Sequence, residues 1–400
     1  MSKPKDPRTI AASNGIGTDA AFGAVTPPIY LTSNFAFKGF ESKGAYAYTR
    51  SANPTRDLLS DTLATLEGGA GAVVTATGMA AIDLVLAQIG PDELVVAPHD
   101  CYGGTYRLLA ARAARGQFSV AFIDQSDELA VAIALESAPS LMLIETPSNL
   151  LMRVVDVLAL SAWAKSEGAK VVVDNTFLSP ALQRPIELGA DFVVHSTTKY
   201  LNGHSDVGGG AVIVANPADA EVLASWANII GVTGAPFDAY LTLRGLRTLF
   251  PRIERQQKSA AAVAAYLYQH PAVKAVHYPG LPTHPGHQIA RAQQSGFGAM
   301  LSFELAGGVE DVRAFVGALQ LFTLAESLGG VESLIAHPAT MTHADIGAEA
   351  RAVAGIGDNL LRLSVGLESE ADLLTDLDQG LGAVLKRRAA PTRNSALSVH

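Results

Sequence analysis

One cysteine in 400 residues, Cys101, is too few for an internal disulfide framework or a cysteine-rich metal site, and it suits a reducing cytosol. Charge is sparse at 17% and has no basic excess, the formal net charge being −9. A surface that neutralises a phosphate backbone needs clustered Lys and Arg, so nucleic acid is not an expected partner. No apolar run approaches the length of a membrane span, and the opening MSKPKDPRTI lacks the apolar core of a signal peptide. The expectation is a cytoplasmic protein with no membrane partner. Also missing are a Gly-x-x-x-x-Gly-Lys phosphate loop, a complete dinucleotide fingerprint and a Gly-x-Ser-x-Gly nucleophile elbow. His284 and His287 share a helical spacing, but Pro285 lies between them and no carboxylate or cysteine completes a metal site.

What is plentiful is aliphatic: 48% of the chain is hydrophobic, enough for one large subunit with an ample core. Residues 1–62 read as an irregular segment rich in turn formers, Tyr and Arg, which must lie against something else. From 63 to 256, short apolar runs (GAVVTAT, LVVAP, SVAFID, LMLIET, KVVVDNT, DFVVHS, AVIVA) alternate with helical stretches such as GMAAIDLVLAQI (78–89) and 155–168, the latter ended by Gly168. Near-continuous apolar strands are what a sheet covered on both faces requires, so repeated βαβ units and a mostly parallel α/β sheet are predicted. A helix over 259–270 and strands over 272–279, 298–305 and 360–367, with a helix over 311–319, predict a smaller α+β domain from 257 to 390. Residues 391–400 read as a frayed tail.

The chemistry concentrates in VVHSTTKYLNGHSD (193–206). An apolar strand end there runs into Ser196, Thr197 and Thr198, immediately before Lys199. Desolvation disfavours the ammonium of such a lysine and leaves an amine able to form a Schiff base, and the hydroxyls can hold a phosphate. An aldehyde that carries a phosphate, pyridoxal phosphate, fits both. Three other polar stretches belong on the same sheet edge, where open α/β sheets bind ligands. TATGMAA (75–81) turns at Gly78 into a helix whose free N–H groups suit a phosphate. Asp174 closes an apolar strand and needs a cationic partner, such as a protonated pyridine nitrogen. Tyr102, in HDCYGGTYRL (99–108), can lie flat on an aromatic ring, whereas Cys101 reads as a small buried residue.

Together with YTRSANPTR (48–56), ETPSN (145–149), LAESLGGVESL (324–334) and LLRLSVGLE (360–368), these stretches resemble the cystathionine gamma-synthase family of Cys/Met-metabolism pyridoxal-phosphate enzymes, from about Thr26 to Leu381. The resemblance implies the aspartate-aminotransferase type of fold, with a seven-stranded-type sheet domain, a smaller C-terminal α+β domain and an extended N-terminal segment. It implies that Lys199 carries the cofactor and shuttles protons, that Asp174 pairs with the ring nitrogen and that Tyr102 stacks on the ring. Gly78, Met79, Ser196 and Thr198 would bind the phosphate. Tyr48 and Arg50 would complete that phosphate site in a neighbouring subunit, within a homotetramer built from dimers. Asn149 would lie near the cofactor's phenolic oxygen. Arg362 would hold the α-carboxylate of an amino-acid substrate, with Glu326, Ser327, Asn149 and Arg107 completing the substrate site.

The family runs several reactions on one scaffold. Glu326 matches a glutamate of γ-synthases and cystathionine γ-lyases. HDCYGGTYRL and WANIIGVTGAPFDAYL (226–241) look closer to bacterial γ-synthases, which join cysteine to an O-acylated, here O-succinyl, homoserine. The γ-lyase reaction is the alternative within the family, and a nucleotide-binding oxidoreductase the alternative outside it. Ala47 and Ser51 stand where some bacterial synthases carry an acidic residue and an arginine, which leaves Arg107 as the cation for a succinyl group and makes an acetyl donor or lyase activity more credible. Leu150 stands where proline often follows Asn149.

Overall fold

The computed structural model describes residues 5–341, 351 and 355–389; the expected tail from Pro391 lies outside them. Seven strands form the larger sheet: β1 (Gly71–Thr75), β2 (Leu94–Pro98), β3 (Ser119–Ile123), β4 (Leu141–Glu145), β5 (Lys170–Asp174), β6 (Phe192–Ser196) and β7 (Gly210–Val214), in the order β1-β7-β6-β5-β4-β2-β3. Neighbours from β6 across to β3 pair in parallel; β7 runs antiparallel to both β1 and β6. The parallel sheet read from the apolar runs is therefore present, with one reversed strand.

Alternation along each strand explains why those runs are continuous. In β4, Met142 and Ile144 join one buried core while Leu141 and Leu143 join the core on the opposite face. Both faces are covered, so every position is apolar until the strand reaches its carboxyl end. The same alternation places Glu145 on the face of Leu143, Asp174 on that of Val172 and Ser196 on that of Val194. All three therefore emerge on the side covered by the helix Gly78–Leu86.

A five-stranded sheet follows, built from β8 (Val273–His277), β9 (Met300–Leu305), β10 (Thr323–Leu324), β11 (Leu334–Ala336) and β12 (Leu360–Ser364), in the order β10-β11-β12-β9-β8. The helices Val309–Ala318 and Glu370–Ala389 pack with it, Phe315 and Leu377 being fully buried. The helices Pro217–Ile230, Pro236–Leu246 and Leu249–Gln269 lie between the two sheets in sequence, and the last leads into β8. The sequence suggested a helix only from 259. Pro251 falls in the first turn, where its missing N–H has no intrahelical partner to lose, so the helix begins ten residues earlier.

The N-terminal segment also departs from the irregular reading. It contains the helix Pro7–Ser13, and the helix Pro54–Glu67 starts within it. Asn53 caps the latter by accepting the Thr55 N–H at 2.9 Å, with Pro54 at the first helical position. Between these helices the chain leaves Phe22, Val25, Leu31 and Phe40 more than two-thirds exposed, far more apolar surface than a self-contained segment shows. Gly168 caps the helix Val157–Ser166 with a left-handed φ of 85°.

Candidate active site

A cavity of about 330 Å³ opens at the carboxyl ends of β4, β5 and β6. Its lining includes Gly78, Met79, Tyr102, Asn149, Asp174, Ser196, Thr198, Lys199, Glu326, Ser327 and Arg362. Of the residues singled out from sequence, Tyr48, Arg50 and Arg107 do not line it. Arg107 is exposed on the helix Gly103–Ala114. Tyr48 and Arg50 lie on the N-terminal segment, where Arg50 Nη1 donates to the Asn228 carbonyl at 2.6 Å and to Asn228 Oδ1 at 2.9 Å.

Lys199 sits in the tight turn after β6, its own N–H bonded to the Ser196 carbonyl. A loop from the smaller domain packs directly against this turn. A Cβ at Gly329 would come within 2.8 Å of the Tyr200 backbone nitrogen, so only glycine, at its φ of 76°, allows the approach. The approach delivers Ser327, whose Oγ accepts from Lys199 Nζ at 2.7 Å. Burial, followed by the nearby Arg362 guanidinium, lowers the lysine pKa from 10.5 to about 8, against the opposing pull of Glu326. At neutral pH roughly a tenth of such a group is the free amine, several hundred times the ordinary fraction.

Arg362, on β12, is buried and held in place by two hydrogen bonds: Nη1 donates to Asn149 Oδ1 at 2.8 Å and Nη2 to the Ser327 carbonyl at 3.0 Å. Burial lowers its pKa to about 10, which still leaves it charged. A planar cation so fixed can bind a carboxylate in bidentate fashion. Opposite, Asp174 ends β5 and accepts the Thr176 N–H at 3.0 Å; burial pushes its carboxyl upward, and a cationic ring nitrogen would reverse that shift.

The cavity wall beside β6 is shaped by contact. The helix Gly78–Leu86 starts at the cavity wall, and a Cβ on Gly78 would fall 2.7 Å from Ser196 Cβ and 2.8 Å from its Cα. Glycine is thus required for the helix N-terminus to sit against Ser196, on a wall that Thr198 also lines. Helix terminus, hydroxyls, lysine amine and carboxylate together fit a phosphorylated pyridine aldehyde.

Sequence reasoning missed Glu145. This buried carboxylate ends β4 and pairs in register with Asp174. Its Oε2 accepts the Tyr102 N–H and its Oε1 the Asn149 N–H, both at 2.8 Å. Burial and then the Asp174 charge raise its pKa, against these two bonds. The signal that marked Asp174, an acid closing an apolar strand, was equally present in LMLIE. His195 was not assigned either. Its Nε2 bonds Glu67 Oε1 at 2.6 Å, and Asn175 Nδ2 donates to the same oxygen. His287 is accounted for locally, bonded to the Pro279 carbonyl and stacked on Phe297. Cys101 is buried and its thiol pushed up, as for an inert packing residue. Among the described residues there is no metal-ligating group of three, and no helix is long and apolar enough to cross a membrane.

A half-buried lysine of lowered pKa, a helix N-terminus and a strand-end carboxylate on one α/β sheet edge are the features of enzymes that work through a lysine-bound aldehyde cofactor. Residues 8–382 match the family described as Cys/Met metabolism PLP-dependent enzyme, and the chain belongs to that family, whose cofactor is pyridoxal phosphate. It is 56% identical over 379 residues to a cystathionine gamma-synthase of Escherichia coli (strain K12), covering 94% of this chain and 98% of that one. It is 43% identical over 374 residues to a cystathionine gamma-lyase of Bacillus subtilis (strain 168), covering 94% and 98%. Among solved structures it matches cystathionine gamma synthase from Xanthomonas oryzae pv. oryzae in complex with cystathionine, with a TM-score of 0.95, 58% identity and coverage of 96% and 100%.

Proposed function

We propose that this enzyme catalyses γ-replacement, joining L-cysteine to an O-acylated L-homoserine, with O-succinyl-L-homoserine the donor to test first, and releasing L-cystathionine and the free acid in methionine biosynthesis. Glu326, on the same cavity as Lys199 and Arg362, narrows the reading to the cystathionine γ-synthase and γ-lyase pair. A carboxylate at that position can take the distal ammonium of cysteine or cystathionine while Arg362 holds the α-carboxylate of the homoserine part. The likeness to two synthases at 56% and 58% identity supports the synthase over the lyase.

Each residue has a task in this reading. When bound, pyridoxal phosphate supplies the conjugated ring that accepts the electron pair left by Cα–H cleavage. Asp174 would keep the ring nitrogen protonated, and Tyr102 would stack on the ring. Gly78, Met79, Ser196 and Thr198 would bind the phosphate. Asn149, which accepts from Arg362, would also lie near the cofactor's phenolic oxygen. Lys199, with Ser327 as its hydrogen-bond partner, moves protons at Cα and Cβ of the substrate, and its pKa near 8 suits both directions of transfer. Cleavage of the Cγ–O bond, with departure of the carboxylate, addition of the cysteine thiolate at Cγ and return of protons to Cβ and Cα complete the exchange.

Tyr48 and Arg50 serve the phosphate of a neighbouring subunit in a homotetramer of dimers. Their absence from the lining of the chain's own cavity and the exposed apolar side chains of the same N-terminal segment support this assignment. The cytoplasm is the compartment that suits such an enzyme. Incubation with O-succinylhomoserine, with and without cysteine, tests the reaction. Cysteine-dependent cystathionine formation is the expected result, and cleavage of cystathionine faster than its synthesis would assign the γ-lyase reaction instead.

A further inference from the structure

We infer that Glu145 is a positioning residue whose carboxylate clasps two site loops together, the one that carries Tyr102 and the one that carries Asn149. The two loops leave different strands. The first follows β2 and enters the helix Gly103–Ala114 at Tyr102, which has φ −46°, ψ 132° and makes no side-chain cap. The second follows β4 and returns through Leu150 and Met152, both at positive φ, 128° and 52°. Side chains other than glycine hold such angles only where surrounding contacts impose them.

The contacts here are a pair of carboxylates. Each Glu145 oxygen takes one backbone N–H, Tyr102 on one side and Asn149 on the other, both at 2.8 Å. Asp100 Oδ2, in the first loop, accepts from Ser148 Oγ at 2.8 Å and Arg153 Nη1 at 2.9 Å, both in the second. The Tyr102 ring lies close over Gly104, where a Cβ would fall 2.5 Å from it. Asn149 in turn passes the constraint on, since its Oδ1 holds Arg362. Glu145, the buried member of this pair, thereby takes the backbone N–H of the residue that carries the aromatic wall of the cavity and that of the residue whose side chain orients its arginine.

That Tyr102 and Arg362 serve cofactor and substrate rests on the proposed function; the clasp itself does not. Glu145→Gln separates the two. The amide keeps one acceptor oxygen, but its NH₂ group faces the second backbone N–H donor to donor, so one loop is released. Hydrogen exchange on the purified protein, with and without pyridoxal phosphate, is expected to quicken about tenfold or more in 99–106 or 147–153, while protection of β4 and β5 is unchanged. Steady-state assays are expected to show a rise in KM for the amino-acid substrate larger than the fall in kcat. Wild-type exchange in both loops overturns the inference, even if activity is lost, because the residue would then act through its charge beside Asp174. Uniformly faster exchange across the whole sheet also overturns it, in favour of a general folding role. If Glu145→Gln does not fold, Glu145→Asp is read instead. Its shorter arm cannot span both N–H groups, and wild-type protection of both loops in that variant contradicts the clasp. Faster loop exchange in a protein that makes no cystathionine would leave the clasp standing and remove the proposed reaction.

Discussion

Lys199 Nζ donates to Ser327 Oγ at 2.7 Å, joining the turn after β6 of the large sheet to a loop of the smaller domain. The bond exists because Gly329 lets that loop lie against the lysine's own backbone. The amine is thus held half-buried beside Arg362, and this neighbourhood lowers its pKa.

The first prediction follows from that shift. A group whose pKa falls to about 8 gains its free amine as pH rises through 8, not through 10.5. The rate at which cofactor-free enzyme takes up pyridoxal phosphate, followed by absorbance, should rise with a midpoint near 8. A midpoint near 10 would mean that the lysine is not desolvated. Lys199→Ala should give a protein without the lysine-linked absorption at any pH.

Arg362 makes a different demand. Truncating a buried, hydrogen-bonded charge that meets a carboxylate costs about 2–5 kcal/mol. Arg362→Ala should therefore lower kcat/KM for the amino-acid substrate at least about thirtyfold, with the affinity for pyridoxal phosphate little changed. Equal losses in both would place the arginine in the cofactor site.

Gly78 is read through its missing Cβ. In Gly78→Ala the new methyl meets Ser196 Cα at 2.8 Å, and overpacking of this kind costs about 1–3 kcal/mol. Because the collision lies at the helix terminus beside the hydroxyls, the Kd for pyridoxal phosphate should rise roughly 5- to 150-fold. Unchanged affinity with a lowered Tm would show that the phosphate does not bind there.

These assignments divide by how each residue reaches the site. Lys199, Asp174 and Gly78 were legible because each interrupts an apolar strand or opens a helix directly after one, so local pattern and site coincide. Glu145 carried the same mark and was passed over, since its partners are backbone N–H groups, which no sequence pattern displays. The Lys199–Ser327 bond was hidden for another reason: it depends on how β10–β12 dock against the large sheet, a contact between residues 128 positions apart. The large sheet was legible from its two-sided apolar strands. The start of the helix Leu249–Gln269 was not, because Pro251 is a breaker everywhere but in a first turn.

Arg50 gives a prediction about assembly. If it serves a neighbour's phosphate, Arg50→Ala and Lys199→Ala subunits should complement each other. Denatured together, refolded and mixed equally, two individually weak variants should regain activity at roughly a quarter of the sites, since each mixed pair rebuilds one intact site of two. No recovery would confine the site to one chain.

The central claim is the reaction itself, and one comparison tests it most directly: cystathionine formed from O-succinylhomoserine plus cysteine, against 2-oxobutanoate released from cystathionine alone, under the same conditions. Synthesis that depends on cysteine and outpaces cleavage is the predicted result. Cleavage that outpaces synthesis would contradict it.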